Sequence, residues 1–149
     1  MNFRQFLIES DYNVKKTLGK VPKSHRSLIE KYKVEFEKGN TLDGDHIGEI
    51  DEKKKKIKLA GPWNYGREFT FLHELGHAVW NYLLDEESKK EWTKVVKKTN
   101  KPRQHQGMEE LFCMAYANFY AKNKIVIHDH PEWEEFIKKL PKSVYNSHQ

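Results

Sequence analysis

A chain of 149 residues is the size of one ordinary domain, and the expectation is a single domain over 1–149. It is 33% charged and 37% apolar, polar for a globular protein, yet its 8 Phe, 7 Tyr and 4 Trp can still build a core, which argues against disorder. One cysteine, Cys113, excludes an intramolecular disulfide, and the net charge of +5 comes mostly from lysines interleaved with acids, which reads as solvated faces rather than a nucleic-acid surface.

Arginine, the better base-reading residue, occurs only at positions 4, 26, 67 and 103. This pattern argues against nucleic acid as a partner. The opening "MNFRQFLIES" lacks a long apolar stretch, so no signal peptide is expected. No segment approaches the length of a membrane span. The default expectation is a cytoplasmic protein with no membrane partner.

In chain order, Phe3, Phe6, Leu7, Val14 and Leu18 suit one or two short helices with a break near residues 10–13. Pro22 and Ser24 mark another helix start. "YKVEFEKGN" alternates, with Tyr32, Val34 and Phe36 on one face, and reads as a half-buried strand ended by Gly39-Asn40. "HIGEIDEKKKKIKLAGP" reads as a hairpin. Ile47 and residues 57–59 lie in its arms, and "DEKKKK" forms a charged tip whose lysines also guard an exposed edge. "WNYG" is a loop.

From Arg67 the period changes. Phe69, Leu72, Leu75, His77, Val79 and Trp80 fit a helix of about four turns, apolar over most of its circumference and therefore central. "DEESKKEWTKVVKKT" is a more exposed helix with Trp92, Val95 and Val96 inward. "NKPRQHQG" is a loop, and "MEELFCMAYANFYAK" is a second strongly apolar helix. "IVIHDHP" is an extended link. Pro131 starts a short last helix with Trp133, Phe136, Ile137 and Leu140 inward. The expected class is α+β: a small three-stranded antiparallel or mixed sheet packed on a central helix, with a helical C-terminal half.

That central helix carries "FLHELGHAVW". Residues four apart share a helix face, so His73 and His77 can aim their imidazoles at one ion. Tetrahedral Zn²⁺ suits such a pair, completed by one further protein ligand and one water in a catalytic site. Glu74 leans to the side of that face, where it can take a proton from the water as general base. Random placement of 8 His and 16 Glu would give roughly 0.05 such motifs in the chain, so context must decide. The context is an apolar helix, where unpaired imidazoles would be costly. Gly76 costs about 1 kcal/mol of helix propensity against Ala and makes sense if something approaches the backbone there. The competing reading is a set of core or surface histidines satisfied by ordinary hydrogen bonds.

A third ligand is expected on the second apolar helix, at Glu109 or Glu110, and spacing does not choose between them. Two acids at a helix start also complement the helix dipole. Asp85, Glu86 and Glu87 lie near the exposed end of the first helix, while His105, His128 and His130 are alternatives. Cys113 reads as a small core residue. Trp63 and Tyr65 either floor a substrate pocket or staple their loop.

"HELGHAV" followed by "EELFCMAYANFY" resembles the zincin metallopeptidases of the glutamate-ligand type, over about residues 45–122. It is especially similar to the lethal-factor-like catalytic domains with small phage and bacterial members, and also to the repressor-cleaving peptidases of mobile elements. The resemblance implies a zincin-like minimal metallopeptidase. Zn²⁺ would be held by His73, His77 and Glu110, Glu74 would be general base, and the substrate would be a protein or peptide, with a host cytoplasm as its location if the chain is phage-encoded. It also implies that the hairpin edge receives extended substrate by β-addition. The chain departs from that pattern twice. The oxyanion tyrosine seven residues before the ligand is here Arg103, so Arg103, His105 or Tyr65 would have to stabilise the transition state. A second acid four residues after the ligand is here Met114.

The expected activity is zinc-dependent peptide-bond hydrolysis. The alternative is a non-catalytic zincin-fold regulatory or interaction protein with a structural metal site.

Overall fold

The strand β3 (Lys56–Ala60) sits in the middle of a three-stranded sheet of order β1-β3-β2. The computed structural model describes residues 14–37, 48–60, 66–99, 107–122 and 130–140. Strand β1 (Lys33–Glu37) pairs parallel to β3, and β2 (Gly48–Asp51) pairs antiparallel to it through the hairpin. The sheet is therefore mixed. The register places Val34, Ile57 and Ile50 side by side. Ile57 and Leu59 are fully buried, as a central strand requires, and Val34 and Ile50 pack against the same core. The alternate face is ionic: Glu35 and Glu49 flank Lys58, and the Lys56 ammonium lies 3.4 Å from Glu35. The lysines of the hairpin thus belong to a solvated sheet face. At the tip, Lys55 has φ 55°, the left-handed turn residue that brings the chain back into β3.

Six helices complete the described α+β arrangement. α1 (residues 14–18) and α2 (Lys23–Arg26) precede the sheet. The start expected at Pro22 is present, but α2 is a single turn followed by tight turns such as Leu28 N–H to His25 O. α3 (Gly66–Tyr82) follows the hairpin, then α4 (Glu86–Thr99), α5 (Met108–Tyr120) and α6 (Pro131–Lys138). Residues 1–13, Ile47 and residues 63–65 of the expected "WNYG" loop lie outside the described residues, while its Gly66 opens α3. No described helix is long and apolar enough to cross a membrane.

α3 packs on β2 and β3 on one side and makes its most extensive contact with α5 on the other. Its Phe69, Phe71, Leu72, Leu75, Ala78, Val79 and Trp80 are all buried, so it is covered round most of its circumference. Gly76 has a definite role in this contact. A Cβ there would lie 3.0 Å from the Cα of Cys113 and 3.3 Å from its Sγ. The thing that approaches the backbone at Gly76 is α5 itself. Cys113 is a fully buried packing residue whose thiol is pushed well up by burial. Burying each large side chain of this core contributes roughly 1.5–3 kcal/mol.

Trp92 of α4 fixes the start of α5. Its indole N–H donates to the Met108 carbonyl at 2.8 Å, and its ring packs edge-on against Phe112 and Trp133. At the other end of α5, Glu68 of α3 accepts the Lys122 backbone N–H at 2.6 Å, the Thr17 hydroxyl at 2.9 Å and the Lys20 ammonium at 2.8 Å. The two ends of α5 are thus tied to different neighbours, and the crossing with α3 is held between them.

Candidate metal centre

The middle of α3 faces the first turn of α5, and that crossing gathers the polar residues of "HELGH". His73 and His77, one turn apart, turn their Nε2 atoms toward the same carboxylate. His73 Nε2 lies 2.9 Å from Glu110 Oε2, and His77 Nε2 lies 3.0 Å from Glu110 Oε1. The two rings meet edge-on with centroids 5.0 Å apart. Among the described residues, His73, His77 and Glu110 form the group that could hold a metal ion, with one donor atom from each lying within 4.8 Å of the others.

The donor set fits such an ion. Bonds of about 2.0–2.1 Å in a tetrahedral site set neighbouring donors about 3.3 Å apart. The two nitrogen–oxygen distances, each to a different oxygen of Glu110, are 2.9 and 3.0 Å, and one donor atom from each residue lies within 4.8 Å of the others, the close grouping that a small cation needs. The side chains of His73 and His77 are 18% and 20% exposed and that of Glu110 is 49% exposed, so the group lies at the rim of the core rather than deep within it.

The adjacent acids divide the work. Glu110 takes the Nε2 side of both rings. Glu109 takes the far side of one, its Oε2 2.6 Å from His77 Nδ1. Spacing alone could not separate them, because both stand in the first turn of α5 and both complement its dipole. Glu74 lies on the far side of the other ring, with Oε2 3.0 Å from His73 Nδ1, and is 4% exposed. Asn81, one turn beyond His77, donates to the His77 carbonyl at 2.9 Å and lies 3.5 Å from Glu109 Oε2. Sequence reading missed Asn81; its position four residues after His77 was the available signal.

The electrostatics follow from these contacts. Burial pulls the His73 imidazolium down, but the hydrogen bonds to Glu110 and Glu74 outweigh it and push the ring up to about 9. His77 is also raised, against its burial, by Glu110 and Glu109. Hydrogen bonds from His73 and His77 hold Glu110 well below the usual carboxylate range. Protons and a cation therefore compete for the same Nε2 atoms, and metal binding must release protons.

The remaining candidates stand elsewhere. Asp85 accepts the Ser88 backbone N–H at 2.8 Å and caps α4, which accounts for it without a metal. His130 precedes α6 with its ring 4.2 Å from that of Trp133. Met114 is half-buried on α5. Tyr65, Trp63, Arg103, His105 and His128 lie outside the described residues.

Compared with protein-family models, with curated proteins and with solved structures, the chain finds no significant match.

Proposed function

We propose that this chain is a zinc-dependent peptidase of the HExxH type with a glutamate as third ligand, built on a minimal zincin-like fold. The observation that carries the reading is the convergence of His73 Nε2 and His77 Nε2, from one helix, on the Glu110 carboxylate of another. Two imidazoles and one carboxylate are the protein donors of a catalytic zinc site that keeps a position open. Zinc, when bound, polarises a peptide carbonyl and makes water acidic enough to attack it near neutral pH.

The chain's own residues supply the rest. Glu74 follows His73 directly; its carboxylate lies against that ring's Nδ1, on the side away from Glu110, and must leave that bond to meet the attacking water. In this reading it accepts the proton of the attacking water and passes it to the leaving amine. The half-exposed Glu110 keeps one side of the group open to an extended peptide, and β2 lies beside α3 as an edge strand with backbone groups to offer such a chain.

The test is hydrolysis of a proteome-derived peptide library by zinc-loaded protein. Wild type should cleave, and Glu74→Gln should lose about 10²–10⁴ in rate while retaining its zinc. Equal cleavage by both proteins sinks the proposal. A second reading, a metal-binding regulatory protein without hydrolysis, is favoured by one observation: Glu74 is bonded to His73 rather than exposed. Stoichiometric zinc with no cleavage of any peptide would support that reading.

A further inference from the structure

The two acids that open α5 are neighbours with different partners, and Glu109 is the one that the metal reading leaves without a task. We propose that Glu109 is a positioning residue: it holds the His77 ring, with Asn81 as its brace, in the orientation and tautomer from which Nε2 can bind a metal ion. The proposal rests on the zinc-site reading and adds to it the residue that sets the affinity of the site.

Glu109 Oε2 lies 2.6 Å from His77 Nδ1, short enough for a charge-assisted hydrogen bond. A neutral imidazole carries one N–H. When Nδ1–H donates to Glu109, the lone pair is left on Nε2, the atom that faces Glu110. The ring then has one useful orientation, because rotating it about its own axis would put carbon atoms where the two carboxylates stand. Asn81 contacts both partners of this bond. Its Nδ2 donates to the His77 backbone carbonyl at 2.9 Å and lies 3.5 Å from Glu109 Oε2. One amide thus joins the backbone of α3 at His77 to the carboxylate from α5.

Complementing the α5 dipole does not explain this placement. A first-turn acid serving the dipole alone has no need of a partner 32 positions earlier in the chain. The other ring is held in the same manner, with a carboxylate, that of Glu74, against Nδ1 and Glu110 against Nε2. Outer carboxylates of this kind fix the tautomer of a ligating histidine and raise its basicity, and losing one typically costs 10–100-fold in metal affinity.

The experiment is a zinc titration against a chromophoric chelator, with Zn²⁺ alone as probe, on wild type, Glu109→Ala and Glu109→Gln. Thermal unfolding of the metal-free proteins is measured in parallel. Glu109→Ala should bind zinc about 10–100-fold more weakly, while its metal-free melting stays close to wild type. Glu109→Gln should recover most of the loss, because its amide oxygen still accepts the Nδ1–H. Unchanged affinity in Glu109→Ala overturns the proposal. An equal loss in the two variants also overturns it, since Glu109 would then act as a charge and not as a ring holder. A wild type that fails to bind zinc brings down the metal reading itself, and that failure shows before any variant is compared.

Discussion

α3 and α4 are consecutive helices of similar length, and they treat polar residues in opposite ways. α4 buries only Trp92 and Val96 and turns Lys90, Glu91, Lys94, Lys97 and Lys98 to solvent. Its charges need no partner and ask for no explanation. α3 buries most of its described side chains and still keeps His73, Glu74 and His77 on its inner side. There each polar atom meets a carboxylate: Glu110 between the rings, Glu109 and Glu74 behind them. Burial is what makes the difference informative. A polar side chain at the surface costs nothing, whereas one on a core helix must be paired, and here the pairing marks the group that could hold a metal ion.

The largest effect should come from removing the shared carboxylate. Glu110→Ala should weaken zinc binding beyond the roughly 100-fold typical of an outer partner, and abolish hydrolysis. A zinc titration reads the first and peptide cleavage the second. Retained affinity would mean that α3 does not depend on α5 for its polar residues, and the contrast with α4 would lose its meaning.

Gly76→Ala probes the crossing that brings the acids into place. Alanine gains about 1 kcal/mol of helix propensity, but its Cβ would sit 3.0 Å from the Cys113 Cα. Overpacking of that kind costs about 1–3 kcal/mol. The account predicts a net loss of about 1 kcal/mol in chemical denaturation and a several-fold drop in zinc affinity, because Glu110 sits one turn before Cys113 on α5. A more stable variant with unaltered zinc binding would show that the close approach is incidental.

Glu68 offers a polar residue of α3 that lies away from the metal group. Burial raises its carboxyl, but the Lys122 backbone N–H, Lys20 and Thr17 outweigh that and lower it below the ordinary 4.5. A depressed carboxylate stabilises the fold above its unfolded value. That contribution disappears as pH falls from about 4.5 through the lowered folded value. Glu68→Gln should therefore be less stable by about 1 kcal/mol at pH 7, discounted for the exposed Lys20 pair. The gap should shrink in urea melts as pH falls below about 4.5, and zinc affinity at pH 7 should match that of wild type. A gap that does not shrink at all between pH 5 and pH 3 would contradict the assignment.

The smallest effect belongs to α4. Lys94→Ala and Lys97→Ala should change stability by no more than about 0.5 kcal/mol and leave zinc binding as it was.

Much of this was legible in the residues, and the limits have physical causes. The four-residue spacing of His73 and His77 fixes them on one helix face whatever the rest of the chain does. The mixture of aromatics and alanines in α5 and the position of Pro131 mark their helices in the same local way. The choice between Glu109 and Glu110 was not local. It depends on the rotation of α5 against α3, set by the contact of Gly76 with Cys113 and by the Trp92 bond to Met108. The parallel pairing of β1 with β3 was equally hidden, because alternation shows that a strand is half-buried but not which neighbour it joins.

X-ray absorption at the zinc edge of the purified, zinc-loaded protein tests the central claim most directly. The account predicts one zinc per chain, with two imidazole nitrogens and a carboxylate oxygen at about 2.0–2.1 Å and one further light-atom ligand from water. That spectrum should lose an imidazole in His77→Ala. Well under one zinc per chain, or a closed shell of four protein ligands, would contradict it.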